Sequence, residues 1–325
     1  MPLRWLFLPL AAVLLSAGSA LLGQATVKAD GERSGPLTVE EVADGVYALI
    51  GPTGPRTADN HALNANFGFV VADAGVAVID SGASPAGAAI IHDAVRQITD
   101  LPVRWVLNTG SQDHRWLGNG YFAERGASLH ALQATVATQK RFAARHIERL
   151  KGVLAGGEVD AIEPAYAAEP AAGERQRLQL GGRTLELRRF ADAHFSGDAV
   201  VWLPGTEVLF SGDHIYVDRM LGIHPFSDAQ AWHRAFRAAM ELGPQRIVPG
   251  HGGVCGPAEA RAHTGSYLDW LLAEVGQAVE DREPLGEVTQ RLTRQAPQRF
   301  KQLRHFEAWH PTNINRTYTQ LETMP

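Results

Sequence analysis

The sequence contains almost no cysteine and no excess of positive charge. Cys255 is the only cysteine among 325 residues, so the chain can form neither an intramolecular disulfide nor a cysteine-based zinc site. The formal net charge is −5, which provides no basic footprint for nucleic acid. Beyond the N-terminal segment no apolar run is long enough to span a bilayer, and no internal repeat stands out. These absences exclude disulfide scaffolds and nucleic-acid binders.

The N-terminal segment is typical of a secretory signal. Arg4 precedes an apolar run from Trp5 to Leu15, and small residues follow. We predict a signal peptide over residues 1–25, with its cleavage site between Ala20 and Ala29; an uncleaved anchor is the alternative. After cleavage no spanning membrane segment remains. The expected location is therefore periplasmic or secreted.

The remaining chain has the composition of a large α/β domain. A hydrophobic content of 45% supports a sizeable core. Residues 30–38 are polar and contain glycine and proline, so we predict a tether there. We expect one domain over residues 40–325 that ends in a C-terminal helical extension.

Apolar patterns predict helices interleaved with strand hairpins. Asp73 to Gly75 is a turn signal between two apolar runs, which indicates a hairpin. Pro85 to Ile98 has helical spacing, and Val103 to Leu107 is a short buried strand. Because hairpins dominate, we expect two mixed sheets packed together with helices outside.

Histidine and aspartate residues recur at or near the ends of these apolar runs. Asp113 and His114 follow the strand that ends at Leu107, and three further candidates occur far along the chain, at His194, Asp213 and His251. Imidazole nitrogen and carboxylate oxygen are good zinc ligands. Each residue alone has an ordinary explanation as a surface, turn or capping residue, but together they could form a four-coordinate site.

Five motifs occur in the order found in one family: Val78–Gly82, Asp113-His114 with Gly118-Asn119, His194–Asp198, Ser211–Asp213 and Pro249–Gly252. The chain resembles a metallo-β-lactamase-fold hydrolase. The resemblance implies an α/β fold, a four-layer αββα sandwich with a metal cleft at one edge of the sheets. The closing segment from Trp309 to Tyr318 is most similar to exported members associated with quinoprotein systems.

The chain departs from the family's His-x-His-x-Asp-His pattern. With Asp113 and His114 kept in register, Thr109 and Ser111 occupy the two leading histidine positions. A shift of one residue, which keeps Gly118-Asn119 aligned, places Gly110 and Gln112 there. The resemblance therefore implies one zinc ion, bound by Asp113, His114, Asp213 and His251. His194 is the least certain ligand and is free to hydrogen-bond substrate or water.

The implied reaction is hydrolysis of an ester, amide or thioester of a small molecule. A zinc ion would activate water, with Asp113 and His194 as the catalytic side chains. His61, Arg115 and Trp116 are candidate substrate contacts, although His61 could be a surface residue and Trp116 a core residue. We expect Asp80 to orient the metal loop through hydrogen bonds.

Two other functions remain open at this stage. The chain could be a periplasmic accessory or binding protein without turnover, serving a quinone-cofactor dehydrogenase. It could also be a β-lactamase, which export would suit and which the altered histidine block disfavours.

Overall fold

The computed structural model describes Met1 and residues 32–323. The predicted signal peptide over residues 1–25 lies outside the described residues, apart from Met1. Residues 32–323 belong to one compact unit. Among the described residues, no helix has both the length and the hydropathy that crossing a membrane requires.

The first sheet has seven strands in sequential order. Neighbours from β1 to β5 are antiparallel, whereas β5, β6 and β7 run parallel. The strands are β1 (Glu32–Ser34), β2 (Leu37–Ala43), β3 (Val46–Ile50), β4 (Phe67–Ala72), β5 (Gly75–Ile79), β6 (Val103–Leu107) and β7 (Ser128–His130).

The second sheet has five strands in the order β12-β11-β10-β9-β8. Only the pair of β11 and β12 is parallel. The strands are β8 (Arg175–Leu180), β9 (Arg183–Arg188), β10 (Val200–Leu203), β11 (Val208–Phe210) and β12 (Arg246–Val248).

The helices range from 4 to 18 residues in length. They are α1 (Pro85–Ile98), α2 (Asp113–Trp116), α3 (Asn119–Ala123), α4 (Gln133–Leu150), α5 (Gly156–Asp160), α6 (Ala229–Met240), α7 (Pro257–Ala260), α8 (Ser266–Glu280), α9 (Leu285–Gln295), α10 (Gln298–Lys301) and α11 (Phe306–Glu322). A 3₁₀ turn covers Gly212–His214, and a π-helical turn covers Arg261–Gly265.

Apolar side chains on both faces of each sheet produce four layers. Between the sheets, Ile79 and Leu107 of the first pack with Val201 and Phe210 of the second. On the outer face of the first sheet, β-strand valines pack against α1, and on the outer face of the second, β10 and β11 pack against α6. The predicted αββα sandwich is confirmed, with two mixed sheets flanked by helices.

The predicted tether over residues 30–38 is wrong. Glu32–Ser34 and Leu37–Ala43 are paired strands of the first sheet, joined by a turn in which Gly35 has a φ of 57°. Glycine adopts this left-handed conformation without strain. Leu37 and Val39 are buried and anchor the hairpin to the core. The polar composition of this segment reflects an edge strand.

The C-terminal helices form a separate apolar cluster with α6. Side chains of α8, α9 and α11 share this cluster with Met220, Leu221 and Ile223, which precede α6. Asn313 of α11 accepts a hydrogen bond from the backbone of Ile223 and donates one to the carbonyl of Leu221. These bonds fix the loop that carries His224.

Candidate metal centre

Three strand ends deliver the candidate site residues to one edge of the sandwich. The loop after β6 leads into α2, which contains His114, and the 3₁₀ turn after β11 contains Asp213. His251 follows β12 by three residues. Because β12 and β11 are parallel neighbours, their carboxyl ends place these two loops side by side.

His114, Asp213 and His251 form a buried cluster in which one potential ligand atom of each lies within 4.8 Å of the others. Nε2 of His114 lies 3.3 Å from Oδ2 of Asp213, and Nε2 of His251 lies 3.4 Å from Oδ1 of the same carboxylate. The two imidazole rings meet edge to face. The cluster therefore offers two nitrogens and a carboxylate to one point.

This donor set fits a metal ion. Nε2 of His114 is buried and has no hydrogen-bond partner, which is costly for a polar atom unless a ligand satisfies it. Nδ1 of His251 lies 2.8 Å from the carbonyl oxygen of Asn64, and donation to that oxygen leaves the Nε2 lone pair free. Two histidines and one carboxylate are a known catalytic zinc set with an open position.

Arg115 holds the carboxylate of the cluster from behind. Its Nη2 and Nε lie 2.7 and 3.1 Å from the two oxygens of Asp213, and its Nη1 lies 3.0 Å from Asp80. Burial alone would raise the pKa of Asp213, but Arg115 and then His114 hold it well below its usual value. Arg115 is buried by these contacts and does not line the cavity, so the structure does not place it where a substrate contact was predicted.

Asp80 links the metal loop to β5, in line with its predicted orienting role. Its carboxylate accepts hydrogen bonds from the backbone N–H and the hydroxyl of Thr109, at 2.7 and 2.6 Å. Burial raises the pKa of Asp80 against the opposing effect of Arg115. Thr109 is one of the two residues considered for the first histidine position. Its backbone N–H and its hydroxyl are both bonded to Asp80.

Asp113 lies outside the three-residue cluster. Its Oδ2 accepts hydrogen bonds of 2.6 Å from both Arg56 and Arg149. Its Oδ1 accepts the backbone N–H of His114 and lies 3.3 Å from Nδ1 of that ring. Burial would raise the pKa of Asp113, but Arg56, the bond with His114 and Arg149 hold it well below its usual value. A carboxylate in this state is a weak proton acceptor.

His194 lines the same cavity but lies outside the cluster. Its Nε2 is 2.8 Å from Oε1 of Gln112, while its Nδ1 is buried without a partner. Burial, followed by the neighbouring His224, lowers the pKa of His194 well below its usual value. His194 is therefore a neutral ring with an unused nitrogen, and the structure does not bring it into the His114 cluster.

Asn66, immediately before β4, ties the His251 loop to the first sheet. Its Nδ2 donates to the carbonyls of Pro249 and Gly252, at 2.9 and 2.7 Å. Its backbone N–H donates to the carbonyl of Gly250. The loop from Pro249 to Gly252 is thus positioned by both sheets.

A cavity of about 310 Å³ opens beside the cluster. Its walls contain three arginines, four histidines and, among the described residues, no acidic side chain. The lining residues are Pro55, Arg56, Asn64, Gln112, His114, Arg149, Leu150, Val153, His194, Tyr216, Arg219, Met220, Gly222, His224, His251 and Trp309.

Among the arginines and histidines of the lining, four were not identified from the sequence: Arg56, Arg149, Arg219 and His224. Arg149 belongs to the polar face of a helix, where arginine is ordinary, and the other three lie in loops without a motif. The only available signal was the position of Arg219 and His224 in the segment between the Asp213 turn and α6.

Two further predicted substrate contacts also lie away from the cavity walls. Trp116 is fully buried, stacks on Tyr166 and donates from Nε1 to the carbonyl of Ser111. These contacts agree with the alternative prediction, in which Trp116 is a core residue. His61 is partly exposed and lies 3.0 Å from a carboxylate oxygen of Glu158.

A family profile of the Metallo-beta-lactamase superfamily matches residues 62–251, more than half of the chain. The chain belongs to this superfamily. The matched span contains every member of the cluster and His194.

Solved structures share the superfamily fold at low sequence identity. The metallo-beta-lactamase from Pontibacter korlensis is 19% identical, with a TM-score of 0.56, 72% of this chain covered and 99% of that chain. TMB-1 is 20% identical, with a TM-score of 0.55 and coverages of 72% and 97%. DIM-1 metallo-beta-lactamase is 20% identical, with a TM-score of 0.53 and the same coverages. No curated protein sequence matched the chain.

Proposed function

We propose that this chain is an exported, metal-dependent hydrolase with one zinc ion, held by His114, Asp213 and His251. The observation that carries the proposal is the orphaned Nε2 of His114, which is buried between a carboxylate and a second imidazole at the wall of a cavity. The ligand set differs from the one first implied, because Asp113 is engaged by two arginines.

The contacts of Gln112 and Thr109 support the proposal of a single metal. Gln112 meets His194, whereas Thr109 meets Asp80. These contacts favour the register in which Gly110 and Gln112 replace the two leading histidines of the family pattern. In that register His194 has no imidazole partner from the loop, and His114 takes the position of the family's aspartate.

The side chains around the site have distinct roles in the proposed hydrolysis of an ester, amide or thioester. A bound zinc ion would polarise a carbonyl oxygen and lower the pKa of a water molecule. Arg115 keeps Asp213 ionised, and Asp113 and Asn64 orient the two imidazoles through Nδ1. His194, neutral and with a free nitrogen, accepts a hydrogen bond from the attacking water.

The cellular setting is part of the proposal. The N-terminal segment over residues 1–25 supports export to the periplasm or beyond. The Trp309–Tyr318 segment supports an association with a quinoprotein dehydrogenase system. Trp309 lines the cavity, so this segment also contributes to the substrate pocket.

Metal analysis of three variants tests the ligand assignment. We expect the wild type to hold about one zinc per chain, and His114→Ala and His251→Ala to lose it, because each removes one of only three ligands. His194→Ala keeps the metal and loses turnover of ester and thioester substrates. Asp113→Asn should bind zinc about 10- to 100-fold more weakly than the wild type, because it removes only a group that orients His114.

Different outcomes would replace parts of the proposal. Equal metal loss in His194→Ala would make His194 a ligand. Iron in place of zinc would change the chemistry, because two histidines and one carboxylate also suit iron(II). Hydrolysis of a chromogenic cephalosporin would identify the β-lactamase alternative.

A non-catalytic accessory or binding role is the second candidate, and one observation favours it. Arg115 engages both oxygens of Asp213, and Arg56 contacts Nδ1 of His114. A ring that accepts a hydrogen bond at Nδ1 carries its proton on Nε2 when neutral, which competes with metal binding. Absence of turnover on any acyl substrate, after incubation of the protein with excess zinc, would support this role.

A further inference from the structure

Two groups compete for Nδ1 of His114, one of the proposed zinc ligands. Nη2 of Arg56 contacts this nitrogen, and Oδ1 of Asp113 lies 3.3 Å from it. A guanidinium can only donate a hydrogen bond, whereas an ionised carboxylate can only accept one. The two contacts therefore require opposite states of the same nitrogen, unprotonated for Arg56 and protonated for Asp113.

The choice between these two contacts decides whether Nε2 of His114 can bind a metal. When Nδ1 accepts a hydrogen bond from Arg56, a neutral ring carries its proton on Nε2. Nε2 is the atom that lies 3.3 Å from the carboxylate of Asp213, and a protonated nitrogen has no lone pair for zinc. When Nδ1 instead donates to Asp113, Nε2 is free, which is the arrangement of metal-bound histidines.

The second imidazole of the cluster has the opposite balance of donor and acceptor. Nδ1 of His251 lies 2.8 Å from the carbonyl oxygen of Asn64 and 3.1 Å from Nη1 of Arg219, so the acceptor is the nearer group. At the first imidazole, the guanidinium of Arg56 is nearer to Nδ1 than the carboxylate is. These contacts leave Nε2 of His251 free for a metal and place the proton of the other ring on its Nε2.

Arg56 can withdraw without leaving a buried charge unpaired. Oδ2 of Asp113 accepts hydrogen bonds of 2.6 Å from both Arg56 and Arg149, so Arg149 still pairs with the carboxylate when Arg56 leaves. Asn64, the other partner of Arg56, also donates to the carbonyl of Gly54 and keeps that contact. The side chain of Arg56 is 14% exposed and lines the cavity, where water can solvate the guanidinium.

We propose that Arg56 is a positioning residue that regulates the zinc site by selecting the tautomer of His114. While its guanidinium contacts Nδ1, Nε2 is closed to zinc, and zinc binding requires Arg56 to withdraw so that Nδ1 donates to Asp113. This inference rests on the proposed function, because it concerns the same ligands. It predicts a result that the loss of a merely supporting contact cannot give: a variant that binds zinc more tightly than the wild type.

Zinc titration of the chelator-treated full chain, against a competing fluorescent chelator, tests the proposal. Arg56→Met removes the donor, and we expect it to bind zinc about tenfold more tightly than the wild type, a change within the range of groups that orient metal ligands. The matched control is Arg149→Met, which removes the same charge beside Asp113, whereas no described contact joins Arg149 to His114. We expect it to bind zinc no more tightly than the wild type, because Arg56 is then the remaining partner of Asp113.

Nitrogen NMR spectra of the imidazole rings provide a second readout that needs neither zinc nor turnover. In metal-free protein, these spectra distinguish a protonated from an unprotonated ring nitrogen. We expect the proton of His114 on Nε2 in the wild type and on Nδ1 in Arg56→Met, with the tautomer of His251 the same in both. The wild-type spectrum alone tests the tautomer if Arg56→Met does not fold.

Three results would overturn the inference: a proton on Nδ1 of His114 in the wild type, zinc affinity in Arg56→Met no higher than in the wild type, or an equal rise in Arg149→Met. The last result would assign the effect to the charge near the site instead of the tautomer. If the tautomer changes as expected but neither the wild type nor Arg56→Met binds zinc, the proposed zinc centre is rejected and the control of the His114 tautomer by Arg56 stands.

Discussion

Two sets of buried polar residues at the site, one around Asp213 and one around His194, differ in how their charges are balanced. Asp213 is paired with Arg115 and lies between His114 and His251. His194 meets the neutral amide of Gln112, and no described cationic side chain donates a hydrogen bond to Asp198, which lies in the same loop as His194. The Asp213 set retains the charge pattern of a metal site, whereas the described residues of the His194 set form no ion pair.

The pKa values of the two aspartates express the same difference. Asp213 is held ionised, as described above. Burial, and then the charge of Asp213, raises the pKa of Asp198 well above its usual value. Burial and neighbouring charges therefore shift the pKa values of two fully buried carboxyl groups in opposite directions.

Removing Arg115 should have the largest effect on stability and would remove the charge balance around Asp213. Arg115→Met leaves Asp80 and Asp213 buried without their shared cation, and we expect it to destabilise the fold by about 3–5 kcal/mol. Urea denaturation of metal-free protein would measure this. The exposed Arg104→Gln should change stability by less than about 0.5 kcal/mol. A small effect of Arg115→Met would mean that solvent or local rearrangement already balances the two carboxylates.

The pH dependence of stability in two isosteric variants, Asp213→Asn and Asp198→Asn, should test the difference between the two aspartates. The folded-state pKa of Asp213 is lowered, so its stabilising contribution is complete above the unfolded value of 3.8 and is lost as pH falls through the folded pKa. Asp213→Asn should cost about 3 kcal/mol at neutral pH, and the difference from wild type should shrink in acid.

Asp198→Asn should behave in the opposite way. The folded-state pKa of Asp198 is raised, so its burial penalty grows as pH rises above 3.8. The variant should therefore gain stability relative to wild type with rising pH. Thermal unfolding of metal-free protein across pH would measure both variants, and parallel curves for the two would refute the assignment of charge.

Restoring histidines beside His194 should have the smallest effect. Gln112→His places an imidazole beside His194, and with Gly110→His it should add a second, weaker zinc ion. A Cβ atom on Gly110 would lie 2.8 Å from Oδ1 of Asp198, so this carboxyl must shift and affinity will be limited. Thr109→His with Ser111→His should add none, because Thr109 faces Asp80. Elemental analysis of both double variants decides between the two registers.

Most of the fold was predictable because its signals are local. The hairpin at Asp73–Gly75, the helix α1 and the strand β6 follow from apolar periodicity and turn residues. The strands around Ser34–Leu37 were missed because an edge strand exposes one side and resembles a polar tether in composition.

The site was only partly predictable, for geometric reasons. Sequence placed Asp113 and His114 together, but successive residues in a helix point about 100° apart, so only one of them can face the cluster. Arg149 on α4 and Arg56 in the loop after Pro55 engage Asp113, which leaves His114 to face the cluster. Neither arginine has a sequence relation to the motif. Arg219 lies in a loop as well, where no periodicity constrains the direction of a side chain.

The hydrogen bonds of Asn66 have a consequence for the order in which the chain folds. Asn66 and the Pro249 carbonyl that it holds are separated by 183 residues, and contacts of such long range form after local hairpins because loop closure is slow. The last candidate ligand in the sequence thus takes its position from a residue near the start of the domain. A chain that contains all three ligands but has not docked its two sheets holds no binding site.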